Sequence, residues 1–128
     1  MNILIADDHA NVRRGLRELL VDSFPDAHFT EASGGDEVLS ELVISQPDIL
    51  LLDINMPGRN GFEVLKDVRQ AYPMVPVIMV SVQAANQYAL RCLRAGAAQY
   101  VNKDCVSDDL APAIKKTLEG TAILARPL

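Results

Sequence analysis

Tryptophan is missing from this chain, and its aromatic complement is three phenylalanines and three tyrosines. So few rings leave little for the stacking platforms on which single-stranded bases are held. Positive charge is also short: 12 Lys and Arg stand against 17 Asp and Glu, a formal net charge of −5. That balance argues against a domain that grips nucleic acid through its own surface. No apolar run approaches the ~18 residues that a membrane span needs. The opening Met1-Asn2-Ile3-Leu4-Ile5-Ala6-Asp7-Asp8 has no basic stretch and meets two acids at once. A secretory signal is therefore not expected, and a cytoplasmic location is. Cys92 and Cys105 stand in neither metal-ligand nor Cys-x-x-Cys spacing and read as reduced thiols.

What is present is the material of one folded unit. A chain of 128 residues, 49% of them hydrophobic, fits one domain and can bury a sizeable core. Its most informative stretch is Asp48-Ile49-Leu50-Leu51-Leu52-Asp53-Ile54-Asn55-Met56-Pro57-Gly58. An unbroken Ile/Leu run bounded by turn residues reads as a strand buried on both faces, as in parallel sheets covered by helices. In open sheets of that kind, ligand chemistry sits beyond the carboxyl ends of the strands, which is where Asp53 falls. Asp53 could instead be a helix cap or a turn acid, but Pro57, Gly58 and Gly61 separate it from the next helical pattern.

The same reading gives strict alternation along the chain. Ile3, Leu4 and Ile5 make a first strand closed by Asp7-Asp8-His9. Val12, Leu16, Leu19 and Leu20 have helical spacing up to Pro25, with Arg13, Arg14, Arg17 and Glu18 read as a solvated surface. Residues 28–32 alternate like a strand near a sheet edge. Ser33 or Asp36 is expected to cap a second helix that carries Val38, Leu39, Leu42 and Val43 and ends before Pro47. Phe62, Leu65, Val68 and Tyr72 mark a third helix, and residues 76–81 a fourth strand. A fourth helix over 84–95 is expected to bury Leu90 and Leu93 and to end at Gly96. Residues 98–103 read as a fifth strand. The last helix is expected to begin around 107–109, with Pro112 in or just beyond its first turn. It would bury Leu110, Ile114 and Leu118 and close at Gly120. Five strands alternating with five helices predict an α/β fold of βαβ units, a parallel sheet and right-handed crossovers. Strand order does not follow from periodicity.

The strand ends carry the chemistry. Asp7 and Asp8 follow the first strand and Asp53 the third; Ser81 ends the fourth and Lys103 the fifth. In a parallel sheet these ends share one edge, so three carboxylates meet with a hydroxyl and an ammonium. Acids so placed must be protonated, solvated or neutralised. Oxygen donors without a His or Cys cluster suit Mg²⁺, with Mn²⁺ as a possible substitute, and Mg²⁺ usually shares its shell with phosphate oxygens. The pattern points to a Mg²⁺-dependent phosphoryl site with a carboxylate nucleophile. Lys103 would neutralise phosphoryl charge and Ser81 would donate a hydrogen bond to a phosphoryl oxygen. Singly, Ser81 reads as a turn residue and Lys103 as a surface charge; their joint placement on successive strand ends makes the case.

Over its whole length this ordered set resembles the receiver domain of two-component response regulators. The residues that carry the resemblance are Asp7-Asp8, Asp53-Ile54-Asn55-Met56-Pro57-Gly58, Ser81 and Tyr100-Val101-Asn102-Lys103. The resemblance implies a doubly wound, flavodoxin-like five-stranded parallel sheet in the order 2-1-3-4-5 with five helices. It implies that Asp53 accepts a phosphoryl group from the phosphohistidine of a sensor histidine kinase. Mg²⁺ would be held by Asp8, Asp53 and the backbone carbonyl of Asn55, with Asp7 acting through water. Tyr100 resembles the family's switch aromatic, which swings inward when Ser81 moves toward the phosphate. Residues 1–120 would be the receiver, and 121–128 a C-terminal tail or the start of a linker to an output domain. Homodimerisation on phosphorylation and control of transcription are implied, with DNA reached only through such an output domain.

Two positions depart from the commonest pattern. Asp104 follows Lys103 where many receivers have proline and a cis bond. A non-proline cis bond costs ~3–4 kcal/mol, so a trans peptide is expected. Lys103-Asp104, with Arg91, Arg94 and Ala95-Gly96-Ala97, resembles the subfamily whose receivers precede a helix-turn-helix domain. Val82 stands where small residues are usual, and its bulk is expected to restrict water near an acyl phosphate. Among other functions, an aspartate-nucleophile phosphohydrolase would want a second carboxylate at position 55, which is Asn. A flavin module would want a Gly- and hydroxyl-rich phosphate loop in place of Asp7-Asp8-His9. A stand-alone receiver is one alternative; a pseudo-receiver, a purely protein-binding module, is another and would be expected to lack the acids or the lysine, of which none is missing.

Overall fold

In the computed structural model, which describes residues 1–82 and 85–125, strands and helices alternate throughout. They run β1 (Asn2–Ala6), α1 (Ala10–Ser23), β2 (His28–Ala32), α2 (Gly35–Ile44), β3 (Ile49–Leu52) and α3 (Gly61–Ala71). Then follow β4 (Val77–Ser81), α4 (Ala85–Arg94), β5 (Gln99–Asn102), a short 3₁₀ turn (Lys103–Cys105) and α5 (Val106–Ala125). The five strands form one parallel sheet in the order β2-β1-β3-β4-β5, the doubly wound arrangement that the resemblance implies.

The continuous apolar runs are explained by burial on both faces. Leu4, Leu50, Leu52, Val77 and Met79 pack with Val38, Leu42, Val64, Leu65, Val68 and Cys92 on one side of the sheet. Ile3, Ile5, Ile49, Leu51, Ile78 and Val80 pack with Leu16, Leu20, Leu110 and Ile114 on the other. Successive residues of one strand thus serve opposite cores, with α2, α3 and α4 over one face and α1 and α5 over the other. Register aligns the strand ends: Ala6 pairs Leu52, Leu52 pairs Met79, and Ser81 pairs Asn102.

Several local expectations are corrected. Leu90 and Leu93 do not face inward; they are 60% and 44% exposed, and Cys92 is the buried residue of that turn. Val43 is likewise exposed, with Val38 and Leu42 carrying the buried side of α2. Neither Ser33 nor Asp36 caps α2. Its N-cap is Gly34, and the Glu37 carboxylate instead reaches back to accept from the Ser33 amide and hydroxyl. Arg13 is not a solvated charge but is largely buried and tied to Glu31 of β2, and Arg17, partly exposed, also pairs with Glu31. Finally, α5 starts at Val106 and runs through Gly120 to Ala125, so Pro112 lies inside the helix, beyond its first turn. A glycine within a helix costs only about 1 kcal/mol relative to alanine, and Gly120, unlike Gly96 at φ +108°, has no positive φ to turn the chain. No cis peptide bond occurs among the described residues, so Lys103-Asp104 is trans.

Candidate functional site

The carboxyl edge of the sheet is built by extending the ladders one residue past the strands. The Asp7 amide donates to the Ala32 carbonyl at 3.1 Å, and the Asp53 amide to the Ala6 carbonyl at 3.0 Å. Both acids therefore leave rigid backbone at the same level of the sheet, and both are buried. Gly61 closes the loop behind Asp53: its amide donates to the Ile54 carbonyl at 2.7 Å. A Cβ at position 61 would overlap the Asp53 carbonyl, so this close approach requires glycine.

Lys103, the first residue of the 3₁₀ turn after β5, crosses to both acids. Its Nζ lies 2.6 Å from Asp7 Oδ2 and 3.3 Å from Asp53 Oδ2. The turn is held by the Asn102 side chain, which accepts from the Asp104 amide at 2.8 Å. Burial pushes the Asp7 carboxyl up, but the hydrogen bond from Lys103, the His9 amide and the lysine charge together outweigh it, and Asp7 ends below its ordinary value. For Asp53 burial dominates. Lys103 opposes it, the Asp7 charge adds to it, and the carboxyl ends above its ordinary value. Burial pulls the Lys103 ammonium down, yet its bonds to the two acids win and hold it above the ordinary value. Two acids on one ammonium thus separate into a firmly ionised partner, Asp7, and a partly desolvated one, Asp53.

The neighbouring residues complete the crevice. The Asn55 amide points at Asp53 Oδ1 from 3.3 Å. Asp7 Oδ1 accepts from the His9 amide at 2.9 Å. Asp7, Asp8 and His9 present donor atoms within 4.8 Å of one another. Asp8 Oδ1 is buried at the atom and accepts no hydrogen bond, although His9 Nδ1 stands 3.0 Å away. An unsatisfied carboxylate oxygen beside further oxygen donors fits a hard divalent cation. The compact donor group is Asp7, Asp8 and His9, with Asp53 joined to it through Lys103. His9 was not singled out from the sequence; its place directly after two acids at a strand end was the available signal.

Ser81 is fully buried at the end of β4. Tyr100, half-buried on β5 against the α4 side of the core, has its hydroxyl pushed up by burial and pulled back by a side-chain hydrogen bond with Ser81. The two expected switch residues are therefore already in contact. Behind Asp7, Arg13 donates from Nη1 to the Asp7 carbonyl at 2.6 Å and from Nε to Glu31 at 2.9 Å. Between α1 and the start of α5 lies a cavity of about 560 Å³ lined by Val12, Leu16, Leu19, Lys103 and Val106.

A doubly wound parallel sheet with buried acids and a lysine on its carboxyl edge defines a class of α/β domain that handles charged ligands at strand ends. Residues 3–115 match the response regulator receiver domain, and the chain belongs to that family. It is 34% identical over 125 residues to the glycerol metabolism activator of Pseudomonas putida, covering 95% of this chain and 56% of that one. It is 32% identical over 124 residues to the transcriptional regulatory protein DegU of Brevibacillus brevis, covering 97% and 52%. The chain thus spans about half the length of the curated relatives it matches. Among solved structures, a CheY-like receiver domain protein from Methanospirillum hungatei superposes with a TM-score of 0.87 at 27% identity, covering 97% of this chain and 98% of that one. A LuxR-family two-component response regulator from an Aurantimonas species superposes at 0.86 with 30% identity, covering 93% and 85%. Among the described residues, no helix is long and apolar enough to cross a membrane.

Proposed function

We propose that this receiver takes a phosphoryl group on Asp53 from a sensor histidine kinase and uses it to switch an output, most simply transcription through a further domain. The observation that carries the proposal is Lys103 Nζ held between Asp7 and Asp53, where a third anion at Asp53 would find its counter-charge. In the transfer, an Asp53 carboxylate oxygen attacks the phosphorus of the phosphohistidine. The new P–O bond forms as the P–N bond breaks, and the imidazole nitrogen leaves with the electron pair and is protonated from water. Asp8, Asp53 and the Asn55 carbonyl would hold Mg²⁺, or Mn²⁺ in its place, with Asp7 acting through water. When bound, the ion supplies charge neutralisation for the transferring group.

Lys103 orients the phosphoryl group and offsets its charge. Ser81 turns from Tyr100 toward a phosphoryl oxygen, releasing the ring to repack between β5 and α4. Phosphorylation adds about 1.5–2 negative charges, and couplings of ~1–3 kcal/mol are typical of such switches. Either the α1/α5 side or the α4/β5/α5 side could then form a homodimer. Arg13, Arg14 and Arg17 flank the α1 surface that a kinase would approach. Residues 1–120 would constitute the receiver and 121–128 a C-terminal tail or the start of a linker to an output domain; DNA contact would belong to such a domain, and the protein would work in the cytoplasm.

Incubation with acetyl phosphate and Mg²⁺ tests the reading. A phosphoryl mass increment that is absent from Asp53→Ala is expected. No increment on a folded chain would favour a protein-interaction module that works without phosphorylation.

A further inference from the structure

The Asp7-Asp8-His9 corner holds a nitrogen donor beside the acids, and the receiver reading does not use it. His9 is the N-cap residue of α1, yet its imidazole makes no capping hydrogen bond. Its backbone is fixed from both sides. The amide donates to Asp7 Oδ1 at 2.9 Å, and the carbonyl accepts from the amides of Val12 and Arg13, both at 3.1 Å. With the backbone pinned, the ring projects over the acid pair, and Nδ1 lies 3.0 Å from Asp8 Oδ1 and 3.4 Å from Asp7 Oδ1. Adjacent donors around an octahedral ion with ligands at 2.0–2.1 Å are about 3 Å apart. Asp8 Oδ1 is the buried oxygen that accepts no hydrogen bond, so Asp8 and His9 together offer an oxygen and a nitrogen at the spacing of one coordination edge. The side chain of His9 is 69% exposed, leaving the ring free to adjust to an ion.

We propose that His9 Nδ1 is a ligand of the divalent cation at the Asp7–Asp8 corner and biases this receiver toward transition-metal ions over Mg²⁺. Imidazole adds little for a hard ion such as Mg²⁺, and its contribution grows along the series from Mn²⁺ to Co²⁺. The inference rests on the cation site of the receiver reading and adds a donor to it. The remaining histidine, His28, begins β2 at the opposite edge of the sheet and cannot supply this nitrogen.

The test binds Mg²⁺, Mn²⁺ and Co²⁺ separately to the full chain and to His9→Ala, without phosphoryl donor, and reads affinity by calorimetry. Pulsed electron paramagnetic resonance on the Mn²⁺ form reads ligand nitrogen directly. The expected result is an imidazole nitrogen coupling that disappears in His9→Ala. Mg²⁺ affinity should change less than about twofold, Mn²⁺ affinity should fall several-fold, and Co²⁺ affinity should fall by about tenfold or more, following the donor preferences. Binding of all three ions without nitrogen coupling, or an equal loss for all three in the variant, overturns the role of His9 and leaves the receiver reading standing. Absence of any binding to the wild-type chain overturns both.

Discussion

The two edges of the sheet are built differently. At the β2 edge, Glu31 is held by Arg13 at 2.9 Å and Arg17 at 3.0 Å, and Arg13 also reaches the Asp7 carbonyl. Strand, helix and acid pair are cross-linked there by charge-assisted bonds. At the β5 edge, Val82, Leu90 and Leu93 are exposed, and α4 is anchored to α3 by Arg91 stacked 4.2 Å over Phe62. Tyr100 leans on Ser81 through a hydrogen bond. The first flank is a platform that fixes the acids. The second is a set of contacts individually weak enough to be exchanged.

The largest loss is expected in the loop after β3, between the two flanks. Gly61→Ala drives a Cβ into the Asp53 carbonyl, and backbone cannot yield as a flexible side chain would. Loss of about 3 kcal/mol in denaturant unfolding is expected; a neutral result would mean that the loop is not held where it is described. Next in size is the contrast between the flanks themselves. Arg13→Ala should cost ~2 kcal/mol, in keeping with charge-assisted bonds to Glu31 and the Asp7 carbonyl. Arg91→Ala should cost only ~0.5–1 kcal/mol, the range of an exposed cation–π contact. Equal losses in urea unfolding would erase the distinction drawn between them.

A smaller effect separates Asp53 from Asp7 by its pH dependence. The unfolded Asp53 titrates near 3.8, and in the fold burial raises it. Between those two points the folded chain binds the extra proton, so Asp53 costs stability at neutral pH and the cost fades as pH falls through the raised value. Asp53→Asn should therefore raise stability at pH 7, with a gain that shrinks on acidification. Asp7 is depressed, so its contribution is present above 3.8 and is lost as pH falls through the lower folded value. A gain from Asp53→Asn that grows on acidification would contradict the assignment. The smallest effect expected is kinetic: with Val82 exposed beside Ser81, Val82→Ala should speed dephosphorylation by a few-fold, and an unchanged rate removes the idea that this side chain limits water.

Much of this architecture is legible in the sequence because strands buried on both faces leave unbroken apolar runs. The runs around Ile3–Ile5, Ile49–Leu52 and Val77–Val80 are such strands, and the acids after the first two, Ser81 after the third and Lys103 after β5 follow from chain order. Helices are less legible where an apolar stripe is left exposed among the described residues. Leu90 and Leu93 have the spacing of a buried face, yet α4 buries Cys92 instead. Periodicity shows that a face is apolar; it does not show that the face is covered. The pairing of Arg13 and Arg17 is hidden for the converse reason, since their partner Glu31 is brought near only by the pairing of β1 with β2. The relation of His9 to Asp8 depends on how the N-cap backbone aims the ring, which spacing alone does not reveal.

The most direct measurement is amide hydrogen exchange on the Mg²⁺-loaded chain with and without beryllofluoride, a stable mimic of the phosphoryl group on Asp53. The account predicts that protection changes concentrate in 88–94 of α4 and in β5, while β1, α1 and β2 exchange as before. Changes of equal size at both edges, or changes confined to α1 and β2, would contradict the division into a fixed platform and an exchangeable flank.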